Sequence, residues 1–186
     1  MAGVSVPMQI TAIDSDNNLF RVASIFSDDL VQKILTTDWL SLAWDRQEGQ
    51  ENWSRRRIRD SEISWFSQWD QELTAQWADI ERSLGIKIAP YCGTAFWVDE
   101  AGFTCSMHTD GELPGSLHMP WIGPGTTFYW YKDENAVRYR VPAEPNSGYI
   151  MINKPDETGY RKLLWHAMLT PVENFRVTSY TWLIPQ

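Results

Sequence analysis

The sequence predicts a mainly β protein of the α+β class, in which two helices precede a long series of short strands. From residue 87 onward, short runs rich in β-branched and aromatic residues are separated by Gly, Pro, Asn and Asp, as in a β-sandwich or β-barrel. Before residue 87, apolar residues recur at steps of three and four, the period of an amphipathic helix. We therefore expect a single domain over residues 1–186, with the helices packed against the outside of one sheet.

The N-terminal part is expected to begin with a strand over Leu19–Ala23 and then to enter a first helix. Ser27 suits the N-cap of that helix because its hydroxyl can accept a bond from a free backbone N–H, and two aspartates follow it at the positive helix end. The helix is expected to end near Trp39. Residues 45–60 are polar and are expected to form a loop.

A second helix is expected over about 62–84, where large apolar residues share one face. These residues are Phe66, Trp69, Leu73, Trp77, Ile80 and Leu84. Gly85 then fits a left-handed helix stop. The strands predicted after it cover approximately 87–92, 94–99, 103–108, 116–121, 126–131, 137–141, 148–153, 162–167 and 175–184.

Composition and charge indicate a small protein in a reducing compartment. The chain of 186 residues is long enough to bury a sizeable core and has no apolar run of membrane-spanning length. Its start lacks the basic and apolar stretches of a signal peptide, and Cys92 and Cys105 are expected to be free thiols. A net charge of −8 disfavours phosphate backbones and anionic membranes. We expect a cytoplasmic location without a membrane or nucleic-acid partner, and the sequence carries no signal for the oligomeric state.

One basic segment interrupts this acidic composition. It contains Arg55, Arg56, Arg57 and Arg59. These arginines could form a basic rim for an anionic substrate, or they could pair with acids nearby in sequence, such as Glu48, Glu51, Asp60 and Glu62. The second interpretation is favoured, because charge runs usually form solvated faces.

Two histidines and one aspartate form a candidate metal site. His108 and Asp110 are two residues apart, so on an extended strand their side chains point to the same side, and His166 can join them from a distant strand. Two imidazoles and one carboxylate are the ligands of a non-haem Fe(II) facial triad, which leaves three positions open. His118 is the alternative to His166. Cys105, three residues before His108, is expected to face away from this metal.

The last predicted strand carries a candidate anion site. Alternation along 175–184 puts Arg176, Thr178, Tyr180 and Trp182 on one side. The planar fork of an arginine can donate to both oxygens of a carboxylate, and a hydroxyl on the same side can assist it.

In this combination the chain resembles the Fe(II)/2-oxoglutarate-dependent dioxygenases, especially their prolyl 4-hydroxylase-like branch. Similar context surrounds the candidate residues at 97–103, 125–129 and 145–148, and the resemblance covers roughly 91–185. It implies a double-stranded β-helix, or jelly roll, over about 87–186, with helical support over about 1–86.

The resemblance also implies a reaction. The triad would bind Fe(II), and O2 and 2-oxoglutarate would be consumed to hydroxylate a prolyl, peptidyl or small-molecule substrate, with release of succinate and carbon dioxide. Arg176 and Thr178 would hold the C5 carboxylate of 2-oxoglutarate, and His118 and Tyr129 are candidates for further contacts. Ascorbate is a possible additional reductant. The carboxylate of Asp110 favours hydroxylation over the halogenation catalysed by relatives that lack it.

Two alternatives remain open. A cupin-type metalloenzyme would not use 2-oxoglutarate, but cupins usually pair His-x-His with a nearby Glu, whereas this chain has His108-x-Asp110. A non-catalytic β-sandwich binding module is disfavoured by the complete set of ligands and by Arg176.

Overall fold

The computed structural model describes residues 7–14, 19–45, 55–89, 93–110, 115–123, 127–133, 136–142, 144–153 and 165–185. In chain order its elements are β1 Gln9–Asp14, β2 Leu19–Ala23, α1 Asp28–Thr36, β3 Trp44–Asp45, β4 Arg55–Ile58, α2 Phe66–Leu84, β5 Ile88–Ala89, β6 Thr94–Glu100, β7 Cys105–His108, β8 Gly115–Ile122, β9 Thr127–Asp133, β10 Ala136–Pro142, β11 Ser147–Ile152, β12 His166–Met168, β13 Phe175–Trp182 and β14 Ile184–Pro185.

The strands of this part of the chain form a large sheet, a smaller sheet and a short pair. The large sheet has the order β1-β2-β11-β8-β13-β6-β4-β3, the smaller sheet the order β10-β9-β12-β7, and β14 pairs with β5. Every strand pairing among the described residues is antiparallel. Strands that are distant in sequence lie side by side, as in a jelly roll. The predicted mainly β fold with a jelly-roll core is confirmed.

Helix α1 begins as predicted and ends one turn earlier. The Ser27 hydroxyl accepts a hydrogen bond from the Leu30 N–H, which caps the helix. Trp39 does not continue the helix: it is buried, and its indole N–H donates to the Ile34 carbonyl at 2.9 Å. This bond satisfies one of the carbonyls that a helix end leaves free.

Helix α2 begins later than predicted, because Asp60–Glu62 forms a separate 3₁₀ turn. It ends at the predicted stop: Gly85 has φ 64° and ψ 24°, and its N–H donates to the Arg82 carbonyl. Neither helix of the described chain is long and apolar enough to cross a membrane.

Both helices pack their apolar faces on one face of the large sheet, around Trp69. Its ring stacks on Phe26 at 4.1 Å between centroids and meets Phe96 and Trp121 edge-on at 4.9 and 5.5 Å. Its buried indole N–H donates to the Thr94 hydroxyl at 3.2 Å, which meets the requirement that a buried tryptophan find a partner. The opposite face of the large sheet is left to line a cavity.

The N-terminal half contains more sheet than the sequence indicated. The predicted loop over 45–60 is wrong for Arg55–Ile58, which forms β4 and pairs with β6. Ile58 is buried in the core, and Arg55 lies opposite Asp99. Arg55 and Arg56 are accommodated in this strand because β6 supplies Asp99 and Glu100 as acidic partners, which are distant in sequence.

Only some ion pairs of the basic segment join residues that are close in sequence, as was expected for all of them. Arg59 pairs with Asp45, whereas Arg55 and Arg56 pair with Asp99 and Glu100 of β6. The expected partners Glu48 and Glu51 lie outside the described residues.

Candidate metal centre and ligand cavity

A small cavity of about 80 Å³ opens between the two sheets. Its lining side chains are Arg55, Cys105, His108, Asp110, His118, Phe128, His166, Ala167, Met168, Arg176, Thr178 and Tyr180. Strands β4, β8 and β13 of the large sheet supply one wall, and β7, β9 and β12 of the smaller sheet supply the other.

Three of the predicted ligands meet at one point of this cavity. Antiparallel pairing sets His108 at the end of β7 opposite His166 at the start of β12, and Asp110 follows β7 directly. One ligand atom from each residue lies within 4.8 Å of the others. The Nε2 atoms of His108 and His166 lie 3.8 and 3.6 Å from Asp110 Oδ1. Two imidazoles and one carboxylate at this spacing fit one metal ion of the facial-triad type.

The hydrogen bonds of His108 prepare one nitrogen for a metal. Its Nδ1 lies 2.7 Å from the Ser106 carbonyl, a bond in which Nδ1–H donates. The Nε2 lone pair is therefore available on the side that faces Asp110. The Cys105 thiol raises the pKa of His108 most, burial opposes it, and the Ser106 carbonyl and the Asp110 charge add to the increase.

The carboxylate of Asp110 is held in its ionised form. Burial alone would raise its pKa, but the neighbouring imidazoles, His118 first and then His166 and His108, outweigh burial and lower the pKa well below its usual range. Tyr180 donates its hydroxyl hydrogen to Oδ2 at 3.3 Å. Burial and the Asp110 charge raise the pKa of Tyr180, so the phenol stays a donor. One carboxylate oxygen is thus oriented by Tyr180, while the other faces the two imidazoles of the triad.

His118 lines the cavity on the far side of this carboxylate. Its Nε2 lies 3.7 Å from Asp110 Oδ2, and its ring meets the Tyr180 ring at 4.2 Å between centroids. The ring centroids of His118 and His166 are 6.1 Å apart, and His118 is not a member of the three-residue ligand group. The geometry therefore favours His166 over His118 as the third ligand and leaves His118 facing the cavity.

Arg176 and Thr178 line the same cavity, as the alternation of β13 predicts. Arg176 is only 3% exposed, and its Nε and Nη2 donate to Oδ2 of Asp99, at 2.7 Å for Nε. Its Nη1 is buried without a hydrogen-bond partner among the residues that the structure describes. A buried donor that lacks a partner is costly, so this nitrogen fits a site for an anionic ligand.

Tyr129 is not brought to the cavity. Its neighbour Phe128 lines the cavity, and adjacent residues of a strand point to opposite faces. The Tyr129 ring instead lies beneath the Arg140 guanidinium, 5.7 Å from its centroid. The sequence marked β9 as a strand but did not reveal which of its faces is turned inward.

Cys105 faces the cavity, against expectation. His166 pairs with His108 and Met168 pairs with Cys105, so β7 contains one residue more than β12 over the same span. Such a bulge shifts the alternation, and Cys105 and His108 come to the same side. The Cys105 thiol is free and its Sγ lies 3.4 Å from His108 Nδ1.

Sequence reasoning did not assign Tyr180, Arg55 or Asp99 to this site. Alternation did place Tyr180 on the face of Arg176, and this signal could have identified it. Arg55 lies in the basic segment, for which a role at an anionic ligand was the less favoured interpretation. The role of Asp99 depends entirely on which strands pair, and no local signal reveals it.

Comparisons with known proteins find a likeness in structure only. No family model matches the chain, and no curated protein matches it in sequence. A Pseudomonas putida prolyl-4-hydroxylase superposes with a TM-score of 0.63 and 11% identity, covering 91% of this chain and 94% of that one. A viral collagen prolyl hydroxylase from Paramecium bursaria Chlorella virus-1, in its 2-oxoglutarate complex, gives 0.59 and 11%, covering 92% and 98%.

A third similar structure contains a peptide. It is a prolyl hydroxylase from Trichoplax adhaerens in complex with a fragment of the hypoxia-inducible factor oxygen degradation domain, with a TM-score of 0.61 and 11% identity, covering 90% of this chain and 84% of that one. These likenesses extend over nearly the whole chain and include both sheets. The chain therefore has the fold of the prolyl 4-hydroxylase-like 2-oxoglutarate oxygenases.

Proposed function

We propose that this chain is an Fe(II)- and 2-oxoglutarate-dependent oxygenase that hydroxylates a prolyl, peptidyl or small-molecule substrate. One observation carries the proposal: a cluster of two histidines and one aspartate shares a cavity with a buried guanidinium that retains an unused donor. The cluster of two histidines and one aspartate suits a metal ion with open coordination positions, and the guanidinium suits a carboxylate. A ligand that chelates the metal at one end and carries a carboxylate at the other would use both.

In this proposal each cavity residue has a distinct role. His108, Asp110 and His166 would hold Fe(II), and Arg176 with Thr178 would hold the C5 carboxylate of 2-oxoglutarate. Iron, O2 and 2-oxoglutarate together would supply the oxidising power to convert a C–H bond to C–OH, with succinate and carbon dioxide as the other products. Ascorbate would serve only to keep the iron reduced.

The protein contributes orientation and charge to this reaction. Tyr180 fixes one oxygen of Asp110 through its hydroxyl, and the Ser106 carbonyl fixes the tautomer of His108. Partners of this kind determine how ligands face a metal, and their loss typically lowers metal affinity or activity about 10- to 100-fold.

A peptidyl substrate is favoured by one comparison. The Trichoplax adhaerens neighbour holds a peptide fragment on a similar fold. Loops on a rigid β scaffold commonly determine which substrate is bound. We therefore propose a prolyl or peptidyl group as the first substrate class to screen, with small molecules second.

The proposal is tested by anaerobic titration of the protein with Fe(II) and 2-oxoglutarate. We expect a weak visible metal-to-ligand charge-transfer band, and succinate release once oxygen is admitted. The Asp110→Ala variant should lose both, because it lacks a metal ligand. The Asp79→Ala variant, which removes an exposed carboxylate paired with Arg82, is the control and should behave like the original protein.

The outcomes separate the three interpretations. A band with succinate release supports the oxygenase. Metal binding without a 2-oxoglutarate-dependent band or succinate favours a cupin-type enzyme, and the absence of metal binding favours a binding module. Substantial turnover by Asp110→Ala would contradict the assigned ligand set.

A further inference from the structure

A second arginine reaches the anion end of the cavity from outside the predicted jelly-roll core. Arg55 belongs to β4, and its side chain lines the cavity together with Arg176 and Thr178. Its Nε lies 3.0 Å from Asp99 Oδ1, and its Nη2 lies 3.5 Å from the Thr178 hydroxyl oxygen. The guanidinium also lies over the Trp97 ring, 4.8 Å from its centroid. These contacts hold Arg55 against the wall of the cavity rather than in solvent.

The two arginines share one carboxylate. Arg176 donates to one oxygen of Asp99, and Arg55 lies beside the other. Asp99 is fully buried and Arg176 is 3% exposed. Two guanidiniums against one carboxylate leave one positive charge at this end of the cavity. An unpaired charge in a largely buried place is costly unless a counter-ion binds.

The donors that remain are arranged for such an anion. Arg176 Nη1 is buried and has no hydrogen-bond partner within the described part of the chain. Asp99 engages the side of that guanidinium formed by Nε and Nη2, which leaves Nη1 to a ligand. The Thr178 hydroxyl lies 3.5 Å from Arg55 Nη2 and lines the same cavity as Arg176. One carboxylate can accept from all of these groups, and its single negative charge matches the single positive charge left over.

We propose that Arg55 is a second carboxylate-binding residue of this cavity. Arg55 and Arg176, held side by side by Asp99, together bind one carboxylate of a dicarboxylate ligand. The inference extends the proposed function, because it assigns Arg55 to the binding of 2-oxoglutarate. It is nevertheless testable without metal or turnover. The competing interpretation is that Arg55 only neutralises Asp99 and makes no contact with a ligand.

The test is titration of the metal-free protein with glutarate, a dicarboxylate that lacks the keto group needed for metal chelation. Binding is followed by calorimetry and by tryptophan fluorescence, to which Trp97 beside Arg55 contributes. We expect Arg55→Gln to weaken glutarate binding by about tenfold or more, the value of a lost hydrogen bond to a charged group. This variant is expected to fold, because the Asp99–Arg176 pair remains balanced.

Two further variants make the comparison specific. Arg56→Gln removes the next arginine of the same strand, which pairs with Glu100 rather than with Asp99, and it should bind glutarate as the original protein does. Arg55→Lys keeps the charge beside Asp99 but loses the planar guanidinium, and an intermediate affinity is expected. It also provides a test if Arg55→Gln does not fold.

Each outcome decides the inference. Glutarate affinity unchanged in Arg55→Gln overturns it, as does tighter binding of inorganic phosphate than of glutarate, or no saturable glutarate binding by the original protein in the millimolar range. The proposed function fails independently. If glutarate binds through Arg55 but no succinate is released, the proposed oxygenase reaction is contradicted, and the assignment of Arg55 to carboxylate binding is supported. If succinate is released and Arg55→Gln leaves both glutarate affinity and the KM for 2-oxoglutarate unchanged, the reaction stands and this inference falls.

Discussion

Single residues divide the cavity into two ends of opposite charge, each organised by one shared carboxylate. Asp110 is ionised and lies within reach of the imidazoles of His108 and His166, a set of ligand atoms that fits a cation. Asp99 is flanked by Arg55 and Arg176, and it leaves positive charge where an anion fits. A ligand with a metal-chelating end and a carboxylate end matches this distribution.

Replacement of Arg176 by lysine tests the anion end of the cavity in the presence of the proposed metal and 2-oxoglutarate. A single ammonium cannot both pair with Asp99 and donate to a ligand in the way that the guanidinium can. We expect the KM for 2-oxoglutarate to rise by about tenfold or more while the affinity for Mn(II), used as a stable substitute for iron, stays the same. Steady-state kinetics and metal titration measure the two effects. A change in metal affinity with an unchanged KM would move the anion site away from Arg176.

The positions of these residues depend on how closely neighbouring strands approach each other and on which residues of the two strands are paired. Gly148 of β11 lies against β8, and a Cβ added there would lie 2.2 Å from the His118 carbonyl oxygen and 2.8 Å from Met119 Cγ. Only a residue without a side chain lets the two strands come this close. Since His118 faces the cavity from the same stretch of β8, this contact supports the cavity wall directly.

Gly148→Ala should therefore separate β11 from β8. Forcing a methyl group into a filled space costs about 2–3 kcal/mol of unfolding free energy, sometimes more. Gly102→Ala is the comparison: Gly102 has φ 82° and open space at Cβ, so only backbone strain of about 1–2 kcal/mol applies. Urea unfolding followed by circular dichroism gives both values. A smaller loss in Gly148→Ala than in Gly102→Ala would show that the strands can move apart at little cost.

The largest hydrophobic cluster among the described residues joins both helices to the large sheet. The core includes residues of α1, α2, β6, β8, β11 and β13, so the strands that carry the cavity residues are buttressed from behind. Trp69 lies at its centre, fully buried and in contact with three aromatic rings. Strands β8 and β13 therefore carry cavity residues on one face and are packed against the helices on the other.

Trp69→Leu should destabilise the whole molecule, with a loss of about 2–4 kcal/mol from the cavity that it leaves. Trp44→Leu provides the matched change at a tryptophan that is 39% exposed, and it should cost less than about 1 kcal/mol. Denaturant unfolding followed by circular dichroism compares them. Equal losses at the two positions would contradict a core centred on Trp69.

The sequence alone was sufficient for features that depend on local spacing. It indicated the two helices, the cap at Ser27 and the stop at Gly85, because caps and helical periods are read over a few residues. It also indicated the triad as a group and the inward face of Arg176. Alternation along one strand determines which residues share a face, so the inward face of Arg176 needed no knowledge of the strand order. The choice of His166 as the third ligand rested instead on the resemblance carried by the arginine segment that follows it.

Only the tertiary structure decided which strands lie side by side, and several residues depend on that. The pairing of β4 with β6 brings Arg55 to Asp99, and the bulge between β7 and β12 turns Cys105 toward His108. Strand pairing also decides which face of β9 is turned toward the cavity, and Tyr129 lies on the other face. Strand pairing joins residues far apart in the chain, and the free energy that selects one arrangement comes from packing and charge between them. A local pattern cannot contain that information, and for this reason the second arginine of the cavity became visible only in the folded molecule.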